Sequence, residues 1–277
     1  MSISIASFSF HGLINAGMMD VFGYLEACRY RYHLGAADIW NGLLGRDPNV
    51  YLQPEFLRKV RAGLDERGLV LANYHADGCH PWEDDPAARD RHHALAVRHL
   101  EAAEILGART VRIDTGGRDK AWTAEQFDHI VRRFKEYAAR AADHGYRMGP
   151  ENHWGAEVGP DNLVKLAQAV DHPGFGVLLH IGRWEGDAPE AGDRKIARWV
   201  VHTHVDAATC NGRLEPAIAL LREAGYQGYF DVETGVGKNE YQEVGVLIAQ
   251  VRRALANLGP AVVGKGGKNT LIPPGVQ

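Results

Sequence analysis

The chain has 277 residues, 45% of them hydrophobic and 24% charged, close to the globular average, so a large core is available and extensive disorder is excluded. A formal net charge of −4 supplies no broad basic field, which argues against a nucleic-acid partner gripped through its phosphates. The three cysteines, Cys28, Cys79 and Cys210, are far apart and lack a CxxC spacing, so neither a disulfide framework nor a zinc knuckle is implied.

Residues 2–10, SISIASFSF, alternate small polar and apolar side chains and predict a first strand, with His11 just after it. Val21, Leu25 and Cys28 fall at helical spacing within residues 20–31, and GAADIW, residues 35–40, predicts a second strand. Phe56, Val60 and Leu64 lie four apart and mark an amphipathic helix over 54–67 that Gly68 ends. The third strand, LVLANYH over 69–75, runs into the polar loop ADGCHPWEDDP. A long helix over 87–106 carries Leu95, His99, Ala102 and Leu106 on one side, and Gly107 stops it. TVRID, residues 110–114, predicts a fourth strand opening into TGGRD. Thr123 with Gln126 three residues on forms a capping box that begins a helix over 123–144, which Gly145 closes. Later strands are expected at 146–148, 176–179, 199–205 and 229–232, and helices at 161–170, 193–198, 215–224 and 241–258.

Short apolar strands alternating with helices argue for a parallel sheet covered on its faces. Eight repeats argue for one α/β unit, a single (β/α)8 TIM barrel, a fold of about 250 residues, spanning 1–259 as the catalytic domain. Residues 260–277, with GKGGK and a proline pair, read as a loose C-terminal tail. No basic segment followed by an apolar run opens the chain, and no stretch of about 18 apolar residues occurs. The expectation is a soluble, cytoplasmic protein with no membrane partner.

The densest chemistry lies in RMGPENHWG, residues 147–155. Strand alternation predicts Glu151 and His153 on one face, with Asn152 and Trp154 on the other. Reactive residues of such barrels come from the C-terminal ends of several strands, and Glu151, His180, His204 and Glu233 end the fifth to eighth. A lone glutamate at a strand end is more often a salt-bridge or capping partner; four such ends in succession favour a site. Two carboxylates with two imidazoles suit one divalent ion, Mn, Co, Fe, Ni or Zn, better than Mg or Ca. His202 shares a face with His204 and either can ligate, with His204 favoured because it is nearer the loop. His202, like Asp231 beside Glu233, then orients a ligand through a hydrogen bond. His75, His153, Trp154, Arg183 and His202 are candidate substrate contacts. For Trp40, core packing is at least as good an explanation as stacking on a sugar ring. His92, His93, His99 and His129 fall on helices and read as surface or helix-packing residues.

The order ENHWG, VLLHIGRW, HTHVDA and DVETG, with RIDTGG after the fourth strand, resembles the sugar phosphate isomerase/epimerase family, the xylose-isomerase-like TIM barrels. That family includes tagatose and psicose 3-epimerases, inosose dehydratase and hydroxypyruvate isomerase. The resemblance covers roughly residues 1–258 and implies one divalent metal ion held by a Glu, Asp, His and Glu set, mapping onto Glu151, His180, His204 and Glu233. It further implies that Glu151 and Glu233 are the catalytic acid/base pair of an isomerase or epimerase acting on a small carbohydrate through an enediolate. The chain departs from the pattern after the sixth strand, where HIGR replaces D-x-G-N or D-x-x-H. TGGRD neither matches GxxxxGK[ST] nor opens into a helix, so a phosphate cradle is not evident and a non-phosphorylated keto-sugar is expected. Competing readings are a lyase on 3-keto-glycosides, similar to subunits of C-glycoside deglycosidases, a sugar or inosose dehydratase, and a metal-free binding subunit. Endonuclease IV shares the barrel but needs three zinc ions and a basic DNA-facing surface. A homo-oligomer and a hetero-subunit both fit the sequence.

Overall fold

The computed structural model describes residues 2–259 apart from Asp187 and Val236; the tail expected over 260–277 lies outside the described residues. Eight strands, β1 (Ser2–Ile5), β2 (Ala36–Trp40), β3 (Val70–His75), β4 (Thr110–Arg112), β5 (Arg147–Gly149), β6 (Val177–His180), β7 (Val200–Val205) and β8 (Tyr229–Val232), alternate with helices. The principal helices are α1 (Val21–Glu26), α2 (Pro54–Glu66), α3 (Pro86–Leu106), α4 (Ala124–Asp143), α5 (Pro160–Val170), α6 (Pro189–Ile196), α7 (Leu214–Glu223) and α8 (Glu240–Asn257), with shorter helical turns in the loops. Strands β2-β3-β4-β5 form one parallel sheet and β1-β8-β7-β6 another. Isolated parallel bridges, Ala6 to Asp38 on one side and Met148 to Phe175 and Glu151 to Leu178 on the other, join the two sheets into a ring. The expected barrel is thus the observed one.

Burial explains why these segments fold as they do. The α2 side chains Leu57, Val60 and Leu64 and the α4 side chains Ile130, Phe134, Tyr137 and Ala141 are buried, which places one apolar stripe of each helix on the sheet. The Thr123 hydroxyl accepts from Gln126 N–H at 3.3 Å while the Gln126 side chain accepts from Thr123 N–H at 2.7 Å, the expected capping box.

Both seams between the sheets need special residues. At the first, the Tyr24 hydroxyl accepts from Asp38 N–H at 2.8 Å and donates to the carbonyl of Ile5 or Asp38, replacing the ladder that β1 and β2 lack beyond Ala6. At the second, a Cβ on Gly149 would fall 1.7 Å from the Gly176 carbonyl oxygen, so only glycine permits the backbones to approach this closely.

Three expectations are corrected. The first strand stops at Ile5, and Ser7–Phe10 is a 3-10 helix. Its serines bond outside a ladder: Ser7 Oγ accepts from Trp40 N–H at 2.8 Å and Ser9 Oγ from Thr234 N–H at 3.0 Å, the side-chain competition that turns a chain out of a strand. The helix expected at 193–198 begins at Pro189, where proline suits the first turn, and gives way to a 3-10 turn at Ala197–Trp199. The fifth strand is Arg147–Gly149 rather than 146–148.

Above the ring, Glu157 ties two loops together. Its side chain is 1% exposed and accepts from Thr115 N–H, while its second oxygen has no hydrogen bond. Burial first, and then the neighbouring Asp114 charge, push its carboxyl well above the ordinary 4.5.

Two outcomes follow. Tyr24→Phe leaves Asp38 N–H buried without a partner and is expected to cost about 1–3 kcal/mol, read as a lower urea midpoint at unchanged slope; an unmoved midpoint refutes the strut. For Glu157 the folded-state pKa exceeds the unfolded one, so native stability is full below 4.5 and falls as pH rises toward the folded value. Glu157→Gln removes that loss, so it should raise the melting temperature at about pH 8 and confer no advantage at about pH 4. A gain confined to acid pH would contradict the assignment.

Candidate active site

Four adjacent strands deliver the central side chains. His180 is the last residue of β6 and pairs in register with His204 of β7, which pairs in turn with Asp231 of β8. Glu233 follows β8, its N–H donating to the Val205 carbonyl at 2.9 Å. Glu151 follows β5 and is bridged to Leu178. Asn152 fixes the segment onto the end of β6 through its side chain: Oδ1 accepts from His180 N–H at 2.7 Å, and Nδ2 donates to the backbone carbonyls of His180 and Arg183, each at 2.9 Å.

The result is a compact cluster of four donors. Glu151 Oε1 lies 3.0 Å from His204 Nδ1 and 3.2 Å from His180 Nδ1. Glu233 Oε2 lies 3.5 and 3.4 Å from the same two nitrogens. One ligand atom from each residue falls within 4.8 Å of all the others. Glu151, His180 and His204 are buried, whereas the Glu233 side chain is 18% exposed and faces the mouth. The far ring nitrogens face carboxylates: His180 Nε2 is 3.4 Å from Asp206 Oδ2, and His204 Nε2 is 3.9 Å from Asp231 Oδ2. A ring whose other nitrogen faces a carboxylate is oriented as metal-binding imidazoles are, so the donor set and its surroundings fit a divalent ion.

A second layer holds Glu151. Arg112, from β4, donates to Glu151 Oε2 at 2.8 Å, pairs with Asp77, and lies 3.4 Å from Asp114 Oδ2. Burial disfavours charge on Glu151, but His204 and the hydrogen bonds from His180 and His204 outweigh it and hold the carboxyl well below its usual range. Burial likewise opposes charge on His180, yet Asp206, Glu151 and Glu233 push it up to about 9. Asp114 is held down to about 2: burial alone would raise it, and Arg112 and His153 prevail.

Beneath the cluster lies a ring of buried polar groups. Asp38 stands between His75 Nε2, 2.6 Å away, and His202 Nε2, 2.8 Å away. His75 stacks on His204 with ring centroids 5.0 Å apart. His202 therefore faces Asp38 while His204 Nδ1 faces Glu151, and one ligand atom from each of Asp38, His202, His204 and Asp231 also falls within 4.8 Å of the others. His153 and Trp154 both reach Asp114 Oδ2, at 3.0 and 3.3 Å. Trp154 thus corrects the alternation expected after β5, because the chain leaves extended geometry at Asn152. The exposed Arg183 brings a guanidinium nitrogen to 3.4 Å from His180 Nδ1.

Arg112, Asp114, Asp38 and Asp206 are the residues that the strand-end reading passed over. The available signal was a charged residue inside a strand otherwise too apolar to be half exposed, as in TVRID and GAADIW. Trp40, read as either packing or stacking, donates through Nε1 to Asp77 Oδ2 at 2.7 Å. Of the helical histidines, His99 is buried and meets the Tyr74 hydroxyl at 2.8 Å. Among the described residues no helix is long and apolar enough to cross a membrane.

Comparison with known proteins places this geometry in context. No curated protein matches the chain in sequence. Among solved structures, a D-tagatose 3-epimerase-like protein superposes with a TM-score of 0.72 at 16% identity, over 94% of this chain and 100% of that one. A 3-keto-D-glucoside 4-epimerase from E. coli gives 0.67 at 15% identity, over 83% and 94%. A probable 3-DHS dehydratase of petrobactin synthesis from Bacillus anthracis gives 0.64 at 14% identity, over 91% and 99%. These similarities are in fold. The sequence model of the xylose isomerase-like TIM barrels matches residues 39–254, and the chain belongs to that family.

Proposed function

We propose that this protein is a divalent-metal-dependent sugar isomerase or epimerase acting on a non-phosphorylated keto-sugar. The observation that carries the reading is the convergence of two carboxylates and two imidazole nitrogens at the ends of β5 to β8, one carboxylate turned to the mouth. Epimerases among its structural relatives support it.

Glu151, His180, His204 and Glu233 are the proposed ligands. The ion, when bound, supplies Lewis-acid charge that eases loss of a proton from the carbon beside a carbonyl. Arg112 holds one oxygen of Glu151 so that the other stays with the two imidazoles. Among the described residues Glu233 has no comparable clamp, and it is the more exposed of the pair, so it is the better placed to take the proton. Glu151 is the second member of the acid/base pair. His153 and Trp154, both anchored on Asp114, and Arg183, beside His180, line the approach and offer an imidazole, an aromatic face and a guanidinium to sugar hydroxyls. His75 and His202 support from below, through Asp38.

The same opening step serves a second reading. If a substituent leaves the β-carbon after proton removal, the reaction is an elimination on a 3-keto-glycoside. A dehydratase among the structural relatives favours keeping it. For the absence of phosphate from the substrate, the TGGRD loop is the support. Its Thr115 N–H is already given to Glu157, and a Cβ at Gly116 would meet the Trp82 carbonyl at 2.0 Å, so the loop is packed rather than open to an anion.

Glu151→Gln and Glu233→Gln should each lose bound metal, read by elemental analysis, and activity by about 10²-fold or more; full activity in either variant ends the proposal. His180→Ala should lower bound metal while His180→Asp retains it, and undiminished metal in the alanine variant would leave three protein ligands. In side-by-side turnover with Mn, Co and Mg, free keto-sugars and 3-keto-glycosides should be used in preference to sugar phosphates. The reverse preference overturns the substrate class and leaves the metal site standing.

A further inference from the structure

We infer that His80, Glu83 and His92 form a second metal site, for a zinc-class divalent cation, on the wall of the barrel mouth. None of the three belongs to the strand-end cluster. His80 and Glu83 sit in the loop after β3, and His92 lies on α3.

Glu83 Oε1 is 3.0 Å from His80 Nδ1 and 3.4 Å from His92 Nδ1. One ligand atom from each falls within 4.8 Å of the other two, and the imidazole centroids are 5.6 Å apart. The loop that presents them is held from several sides. Trp82 N–H donates to the Thr115 carbonyl at 2.9 Å, the Arg89 guanidinium lies 3.6 Å over the Trp82 ring, and Arg89 Nε donates to the Glu83 carbonyl. Asp85 caps α3 by accepting from Ala87 N–H at 3.0 Å. The donors are therefore positioned by the fold rather than gathered by a ligand.

The decisive detail is at His92. Its Nδ1 is buried with no hydrogen bond, although Glu83 Oε1 lies 3.4 Å away. A cation held by that nitrogen and the carboxylate satisfies both.

Two imidazoles with one carboxylate are the ligand set of open zinc sites, which keep a fourth place for an exchangeable ligand, and imidazole disfavours Mg and Ca. The side chains of His80, Glu83 and His92 are 19%, 33% and 26% exposed, so that place opens to solvent. His80 also packs on Trp154 with centroids 5.2 Å apart, and Trp154 donates to Asp114. Loading the site stiffens the wall that carries Trp154.

The test is zinc content after dialysis against a zinc buffer, for the parent, His92→Ala, Glu83→Gln and His204→Ala. His92→Ala and Glu83→Gln are each expected to hold one zinc fewer per chain than the parent. His204→Ala is expected to keep that zinc, which separates this site from the strand-end cluster whether or not the latter binds. Melting in EDTA checks the fold, and Glu83→Gln, which preserves size, serves if His92→Ala does not fold. Cobalt substitution gives a second readout, a visible absorption band lost in Glu83→Gln. Zinc content equal in the parent, His92→Ala and Glu83→Gln overturns the proposal, as does zinc that disappears only in His204→Ala.

Discussion

The contact on which the mouth depends is the buried pair of Arg112 and Glu151. A guanidinium and a carboxylate taken out of water lose several kcal/mol of hydration each, and removal of one partner from such a pair costs about 3–5 kcal/mol because the other is left uncompensated. Arg112 is embedded among Asp77, Asp114 and Glu151, which come from the ends of three consecutive strands. One side chain thus sets the relative positions of the loops after β3, β4 and β5. It also fixes the rotation of the Glu151 carboxylate, which decides whether its free oxygen meets both imidazoles.

His204 links this layer to the one beneath it. Its Nδ1 faces Glu151 and Glu233, and its Nε2 faces Asp231. Asp231 is completely buried, neither oxygen has a hydrogen bond, and burial followed by repulsion from Asp38 raises its pKa well above the usual range. Asp38, with His75 and His202 beside it, is held in the opposite direction despite its burial. Two aspartates in one ring are thereby pushed apart in proton affinity, so charge in the lower layer is governed by which imidazole stands beside which acid.

Much of this was legible in the chain. The barrel follows from strands too apolar to be half exposed, and His180, His204 and Glu233 were readable because each lies within one residue of the end of such a strand. Arg112 and Asp38 were not, because what gives them meaning is a partner 39 residues away for one and 164 for the other, and spacing carries no information about such pairs. The first strand was misjudged because serine and phenylalanine alternate in a 3-10 turn as readily as in a strand. Trp154 departs from the alternation for a related reason: alternation holds only while the backbone stays extended, and the chain bends at Asn152. His92 illustrates the converse. Its position on a helix suggested packing, and only the loop folded against it gives its ring a polar neighbour.

The seams give the barrel a mechanical grain. Each sheet is continuous, whereas the joins between them rest on isolated bridges, Tyr24 and a pair of glycines. Glu151 belongs to one half of the wall and His180, His204 and Glu233 to the other. An ion bound by all four, as proposed, would act as a rivet across the β5 to β6 join, and its binding energy would resist separation of the halves. Affinity for such an ion and the rigidity of the wall would then be two measures of one quantity.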